Sequence, residues 1–589
     1  GGGGGGEGAC RGRGGGMGAR GVRGARSAPA LLALLALLGA AAGAVGLAAP
    51  PCDGMKKGLC RESSSCRWGG RKVRCVGAKD ACDAVQGKKK RKKCGGVSAL
   101  RCQCSLRPLK KKGKCGTCVP TQAGEPKSNP TAAEECEDPF AEGEAKLPEG
   151  LCVRRFVDPQ MVSPPGNLWY PRAIICSEET GGDLLVLDRG RDGSPPRILA
   201  LRDRDGDGVV GAGEFAVLLD SSTAEGNVTG LNHGIAVHSG FLYASSFEKI
   251  WRWPYQPGQS APLGAAELVI DEISRVGPPG EGGEPGAPMG HKTRTLVFDN
   301  EGRLYVSVGS VSNWDGDSYR SRIRRFPGLS SVPAGGAAAA SWPIDFRTGE
   351  VFADGLRNEV GLAWQNGARK VLWGVENGGD NLSTPGFGDI HQDNPAEELN
   401  RFPIDQPGRH YGYPWCFSEY NIPAPFGGGA GTQWAFRPSD WPGKDDAFCK
   451  APENNVPPAL SMQAHSAPLG LRFYGAEWAN ATEACATPPA LPCSYLGSLF
   501  VSFHGSWNRD VPTGYKVVRV PFSAGLPVGG DPEDFLRPQG PQGPGISGAW
   551  PTTELRPVDL AFGSDSKLFV TAGKNGELLS IYTPDLVGA

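Results

Sequence analysis

Thr295-Leu296-Val297-Phe298-Asp299-Asn300-Glu301-Gly302-Arg303-Leu304-Tyr305-Val306-Ser307-Val308 consists of two short apolar runs around a polar turn. Asp, Asn and Gly accept the bent backbone of a turn, while Val, Leu, Phe and Tyr suit a pleated surface covered by neighbours. The same pattern recurs. Gly234-Ile235-Ala236-Val237 leads to Leu242-Tyr243-Ala244-Ser245, Val360-Gly361-Leu362-Ala363-Trp364 to Val371-Leu372-Trp373-Gly374-Val375, and Asp559-Leu560-Ala561-Phe562 to Leu568-Phe569-Val570-Thr571; Leu184-Leu185-Val186-Leu187-Asp188 is a further strand. Hairpins returning every roughly 40 to 70 residues predict an all-β fold of propeller blades over residues 151–589. A decorated β-sandwich is the competing architecture.

A chain of 589 residues exceeds one ordinary core. Its 89 glycines and 51 prolines fit turns between many strands, and an apolar share of 39% excludes wholesale disorder. The net charge is zero but unevenly spread. Cys52 to Cys118 holds 20 Lys+Arg against 4 Asp+Glu and 10 of the 18 cysteines. It reads as a small, basic, disulfide-rich module (50–119) of an oxidising compartment, joined by a Glu/Pro-rich linker (120–150) to the large domain. The leader, 1–49, is Gly/Arg-rich and then apolar from Leu31 to Leu38, behind Arg20, Arg23 and Arg26 and ahead of small residues that offer cleavage after Ala44 or Ala49. That order predicts a signal peptide, with Met17 as a natural start, and secretion to the extracellular space. A membrane anchor over Ala30 to Ala49 is the alternative; after signal cleavage no stable span is expected. Loss of Cys10 with the leader leaves 17 cysteines, so one should lack an internal partner.

Asp203-Arg204-Asp205-Gly206-Asp207-Gly208-Val209-Val210-Gly211-Ala212-Gly213-Glu214 places carboxylates at loop positions 1, 3, 5 and 12, glycine at 6 and a main-chain oxygen from Val209 at 7. This is a calcium-loop pattern. Its flanks look like strands, so Asp203, Asp205, Asp207, Val209 and Glu214 are expected to hold a structural calcium between two strands. His291 stands just before the Thr295 strand, where an inner strand would aim it at a central channel, and could take a hydroxyl proton there. Arg357-Asn358 and Arg556-Pro557 also precede apolar strands, and guanidinium forks suit planar carboxylates. His504-Gly505-Ser506-Trp507-Asn508-Arg509 adds a polar, aromatic and cationic cluster after a strand. No glycine-rich nucleotide loop or His-Glu-x-x-His is present, which argues against NAD, ATP and zinc chemistry, and nothing points to nucleic acid. Sequons begin at Asn227, Asn381 and Asn480.

Together, Gly230-Leu231-Asn232-His233-Gly234-Ile235-Ala236, His291 with its strand, Gly355 to Trp364, Glu398-Leu399-Asn400, Tyr411-Gly412-Tyr413-Pro414, His504 to Arg509 and Arg556-Pro557-Val558-Asp559 resemble the glucose/sorbosone dehydrogenase family, most of all its pyranose and sorbosone branch. The resemblance spans roughly residues 151 to 582. It implies a six-bladed propeller binding pyrroloquinoline quinone (PQQ) with calcium. In it His291 would be the general base, Arg357, Asn358, His504 and Arg556 would surround the quinone, and main-chain oxygens near Gly378 and Gly379 would hold the cofactor's calcium. Two positions depart from the glucose-oxidising pattern: His504 and its neighbours stand where that branch has a lysine, and Val558 where it has a second arginine.

The function this implies is oxidation of a sugar or sugar aldehyde. A non-catalytic binding propeller of the hedgehog-interacting type is the competitor. The front module vaguely resembles the insulin-like growth factor binding protein type, and its lysine runs, Lys88 to Lys93 and Lys110 to Lys112, suggest adhesion to an acidic extracellular polysaccharide.

Overall fold

The hairpin around Asp299 forms as its sequence demands, with Leu296 opposite Val306 and Phe298 opposite Leu304. The structure, a computed structural model, describes residues 145–584 except 158–167, 191–193, 224–227, 274, 276–289, 317–318, 330–341, 539–554 and 574–575, together with 102–104, 118–120 and Cys136. In the N-terminal unit the backbone of Cys102–Cys104 pairs antiparallel with Cys118–Pro120. The leader, the rest of the basic module and the sequon at Asn227 lie outside the described residues. No helix among the described residues is long and apolar enough to cross a membrane.

The second unit is a six-bladed β-propeller. Its inner strands are Pro171–Ile175, Ile235–His238, Leu296–Phe298, Glu359–Trp364, Pro468–Phe473 and Pro557–Phe562, for blades 1 to 6 in that order. Each continues outward through three antiparallel neighbours, except that the outermost strand of blade 6 is Cys152–Arg155, from the start of the unit. Leu579 faces Arg155 and Tyr582 faces Cys152, so the chain's beginning and end close the ring. Part of the expected linker belongs to this unit, because Lys146 pairs with Arg537 and Cys136 is bonded to Cys152.

Blades stack face to face, so both faces of most strands are covered. Apolar residues therefore run on rather than alternate, as in the fully buried strand Glu359–Trp364. Wedges of side chains fill the gaps: Leu242, Trp251 and Trp253 between blades 1 and 2, and Tyr305, Phe352 and Phe402 between blades 3 and 4. Each such side chain contributes about 1.5–3 kcal/mol of burial. Near the axis the backbones converge so closely that a Cβ on Gly361 would lie 2.5 Å from Leu469 O.

Four inner strands slip register at their first residues: between Pro171 and Ala173, Glu359 and Gly361, Pro468 and Leu471, and Pro557 and Leu560. Bulges re-aim side chains and end regular pairing. Here they gather polar residues from the starts of different blades at one end of the channel.

Candidate active site

His291 is the residue whose chemistry is most constrained. Its Nδ1 lies 3.0 Å from both Ser310 O and Ser310 Oγ, and Ser310 Oγ donates to Ser312 O at 2.7 Å. The serine proton is thus engaged elsewhere, and Nδ1 meets two acceptors. Nδ1 must carry the ring hydrogen, which leaves Nε2 with an open lone pair. Burial, reinforced by the Arg357 guanidinium, pulls the His291 pKa down to about 3, so the ring is neutral near pH 7. Gly309 packs His291 against Asn358: a Cβ there would sit 2.8 Å from His291 Cβ and from Asn358 Oδ1.

Arg357 follows a turn at Gly355, whose φ of +71° suits glycine. Nε donates to Asn313 O, Nη1 to Asn377 O and Gly378 O, and Nη2 to Asn313 Oδ1 and Asp380 Oδ2. A guanidinium has five N–H groups, and all five are engaged by protein oxygens. Arg357 thus ties three loops together. Asn358 Nδ2 donates to Asn377 Oδ1 at 3.3 Å, and its Oδ1 stays next to His291.

Behind Arg357 lies a carboxylate cluster the sequence did not announce. Glu376 Oε1 accepts from Arg357 N at 2.5 Å, and Asn400 Nδ2 is 3.2–3.3 Å from Glu359, Glu376 and Glu398. Burial raises the pKa of Glu359 and Glu376 well above the carboxylate range, and that of Glu397 and Glu398 to about 7. Glu397 Oε2 accepts from Gly378 N at 2.8 Å and so holds the segment with the candidate calcium carbonyls. Gly378 O already accepts from Arg357 Nη1 at 2.6 Å. Beside these groups a cavity of about 20 Å³ is bounded by Trp314, Glu376, Gly378, Gly379, Glu398 and Tyr413. A larger one, about 100 Å³, lies further along the inner strands on the axis.

Blades 5, 6 and 1 contribute the cationic side. His504 Nδ1 lies 3.0 Å from Pro557 O, so it too carries its hydrogen on Nδ1. Burial and Arg172 lower its pKa to about 3. The ring is therefore neutral near pH 7 and carries no positive charge. Arg556 donates to the Tyr515 hydroxyl at 3.2 Å and lies over its ring. A further guanidinium on this side is Arg172, the residue set out by the blade 1 bulge, whose Nε is buried without a hydrogen-bond partner and whose charge Tyr170 and Asp559 favour. Neighbouring His233, its Nδ1 also unpartnered, has a pKa of about 3 through burial and then Arg172. The Tyr170-Pro171-Arg172 start of an inner strand, so like Arg556-Pro557, could have signalled this residue.

The calcium loop connects two strands of blade 1, Arg197–Leu201 and Phe215–Asp220, as expected. Oxygens of Asp203, Asp205 and Glu214 lie within 4.8 Å of one another. Asp207 is apart from them, its Oδ1 accepting from Val209 N at 2.8 Å. Three backbone N–H groups, from Gly211, Arg204 and Asp205, hold the Glu214 pKa down.

A profile described as TrAA12-like matches residues 160–584. Over 376 residues the chain is 30% identical to a "Pyrroloquinoline quinone-dependent pyranose dehydrogenase" of Coprinopsis cinerea, an alignment covering 60% of this chain but only 43% of that relative. The holo form of the pyranose dehydrogenase PQQ domain from the same fungus superposes with a TM-score of 0.57 at 26% identity, covering 76% of this chain and 99% of the domain. A calcium structure of a Trichoderma reesei AA12 carbohydrate-active enzyme gives 0.56 at 27% identity, covering 77% and 99%.

Proposed function

The chain belongs to the TrAA12-like family, and from that premise we propose that it is a secreted oxidoreductase that oxidises a sugar or sugar aldehyde with PQQ and calcium. The observation that carries the proposal is His291: a neutral imidazole, its Nδ1 hydrogen held by Ser310, its Nε2 open, at the edge of a cationic cluster. Nε2 accepts the proton of the substrate hydroxyl as hydride leaves the carbon bearing it. Asn358 positions the imidazole and offers Oδ1 to a substrate hydroxyl. When bound, PQQ supplies the two-electron acceptor and calcium the Lewis acid that polarises its carbonyl.

The residues fit an anionic, planar group. Arg172 Nε is buried without a partner, and no carboxylate among the described residues is paired with Arg556, which donates to the Tyr515 hydroxyl, so both guanidinium groups suit cofactor carboxylates. His504 and His233 line that side as neutral hydrogen-bonding rings. Arg357, already engaged, keeps the Asn313, Asn377 and Asp380 loops in place. The small cavity by Gly378 and Gly379 offers main-chain oxygens and the carboxyl groups of Glu376 and Glu398, the oxygen ligands a hard cation takes, but the Arg357 guanidinium lines it too and already uses Gly378 O; the two main-chain oxygens would hold the ion once that hydrogen bond is given up. A second, structural calcium would sit in the Asp203 loop with Asp205, Val209 and Glu214, drawing in Asp207.

Disulfides Cys136–Cys152, Cys416–Cys449 and Cys485–Cys493 agree with an oxidising compartment. Cys176, buried, is the free cysteine among the described residues. The basic module would carry the enzyme to acidic polysaccharide outside the cell. Titration of calcium-loaded protein with PQQ, followed by dye reduction against pyranoses, tests the proposal. Saturable binding with turnover lost in His291→Ala is expected; no binding at micromolar quinone would overturn it.

A further inference from the structure

Among the described residues few large apolar side chains are exposed, and the most exposed is Trp507, at 73%. An indole left in water at a rim is a candidate contact surface, but only its surroundings can say for what. Trp507 lies in the loop after the blade 5 strand Leu499–Phe503, and that loop is pinned on both sides of it. His504 N donates to Ala467 O at 2.9 Å, and Ser506 N to Thr513 O at 2.9 Å. Asn508 Nδ2 donates to Asp380 Oδ1 at 3.2 Å, and Arg509 Nη2 pairs with Asp393 at 2.5 Å. The indole is therefore exposed on a fixed backbone. Asp380 places it, since its other oxygen accepts from Arg357 Nη2, while Arg357 O accepts from Ser310 N at 2.8 Å and Ser310 O from His291 N at 3.0 Å. The Trp507 backbone is thus joined to the general base by a short chain of hydrogen bonds.

We propose that Trp507 is a stacking platform for a pyranose ring at the mouth of the site, making the substrate class a cyclic saccharide that extends beyond the sugar unit being oxidised. A pyranose presents a flat face of C–H groups to an indole and hydroxyls at its edge. Asn508 and Arg509 hold the loop through Asp380 and Asp393, so the face offered to the ring is the indole itself. An open-chain polyol has no such face. The proposal rests on the sugar-oxidising function given above, and its test separates the two.

Saturation-transfer NMR on the full chain, without cofactor, uses cellobiose as the ring probe and sorbitol as the open-chain probe. Transfer to cellobiose ring protons is expected, weak or absent transfer to sorbitol, loss of the cellobiose signal in Trp507→Ala and its retention in Trp507→Phe. In the PQQ- and calcium-loaded enzyme, Trp507→Ala should raise KM for cellobiose about tenfold, the effect of about 1.4 kcal/mol of stacking, with a smaller change in kcat. Phe426→Ala, at another exposed aromatic, serves as the control and should leave KM in place. If no sugar is turned over but cellobiose transfer is lost in Trp507→Ala, the platform stands and the enzymatic function falls. If the wild-type chain shows no transfer to cellobiose, or Trp507→Ala keeps both the signal and KM, the platform is wrong whatever the enzyme does.

Discussion

Replacing Arg172 by methionine should separate binding from stability, because the two depend on its guanidinium in opposite directions. In the protein without cofactor this cation is half-buried and its Nε has no partner; burial holds its pKa below the usual arginine value, against the pull of Tyr170 and Asp559. A poorly matched buried charge costs free energy, and an apolar side chain of similar volume often leaves a protein equally or more stable. Asp559 would keep Arg472, at 3.5 Å. Arg172→Met is therefore expected to melt at or above the wild-type temperature. Quinone affinity should fall, since hydrogen bonds to a charged group are worth about 1.5–3 kcal/mol, or about ten- to hundredfold in Kd. A third readout follows from the neighbours. Burial is the largest cause of the low pKa values of His233 and His504, but Arg172 is next in each case, so both should rise in the mutant. Quinone titration, thermal melting and NMR titration of the imidazoles give the three results. A mutant that binds PQQ like wild type, or that melts lower and still binds, would show that Arg172 is a structural residue and refute the reasoning.

Stability should peak between about pH 4.5 and 6.5 in metal-free protein, as two sets of buried groups pull in opposite directions. His233, His291 and His504, near 3, and His410, near 4, stay neutral in the fold, so the stability they carry is present above their unfolded pKa of about 6.5 and is lost as the pH falls. Glu359, Glu376, Glu397 and Glu398 are raised, so theirs is present below about 4.5 and is lost as the pH rises through their folded values. A melting temperature that climbs steadily from pH 5 to 8 would contradict this. Glu376→Gln, which mimics the protonated acid, should be nearly neutral in chemical denaturation, whereas Glu376→Ala, leaving Arg357 N without its acceptor, should cost about 1–3 kcal/mol. Calcium at a hundred times its Kd for the Asp203 loop should stabilise the protein by about 2.7 kcal/mol, and Asp205→Ala should abolish that increment while leaving quinone binding intact.

The propeller was legible because its evidence is local. A hairpin such as Leu296 to Val308 contains its own strands and turn, and repetition makes blades of them. The blade-closing strand Cys152–Arg155 was not legible: four residues without a turn of their own, whose partner Glu577–Tyr582 lies at the far end of the chain. The candidate site divides the same way. His291, Arg357, Asn358 and Arg556 could be placed because each stands just before an apolar strand, but which of them face the channel is decided by bulges and long-range hydrogen bonds. Arg357 has its five donors taken by residues 313, 377, 378 and 380, none adjacent in sequence. The carboxylates around Asn400 were invisible because Glu359, Glu376 and Glu398 lie on three different strands of blade 4.

On the proposed reading, Arg172 on blade 1 would stand in for the cations of the glucose-oxidising pattern that Val558 and His504 replace on blades 6 and 5, one blade further round the ring. All six inner strands line the same axis, and a bulge at the start of any of them can turn a long side chain inward. The angular position of a cation is therefore exchangeable between neighbouring blades, while the base is not, since His291 needs Ser310, two residues past the strand Leu304–Val308 of its own blade, to set its tautomer. Moving the charge to blade 6, with Val558→Arg added to Arg172→Met, should recover part of the lost quinone affinity. No recovery in a folded double mutant would mean that the Arg172 position, and not merely its charge, is what the site requires.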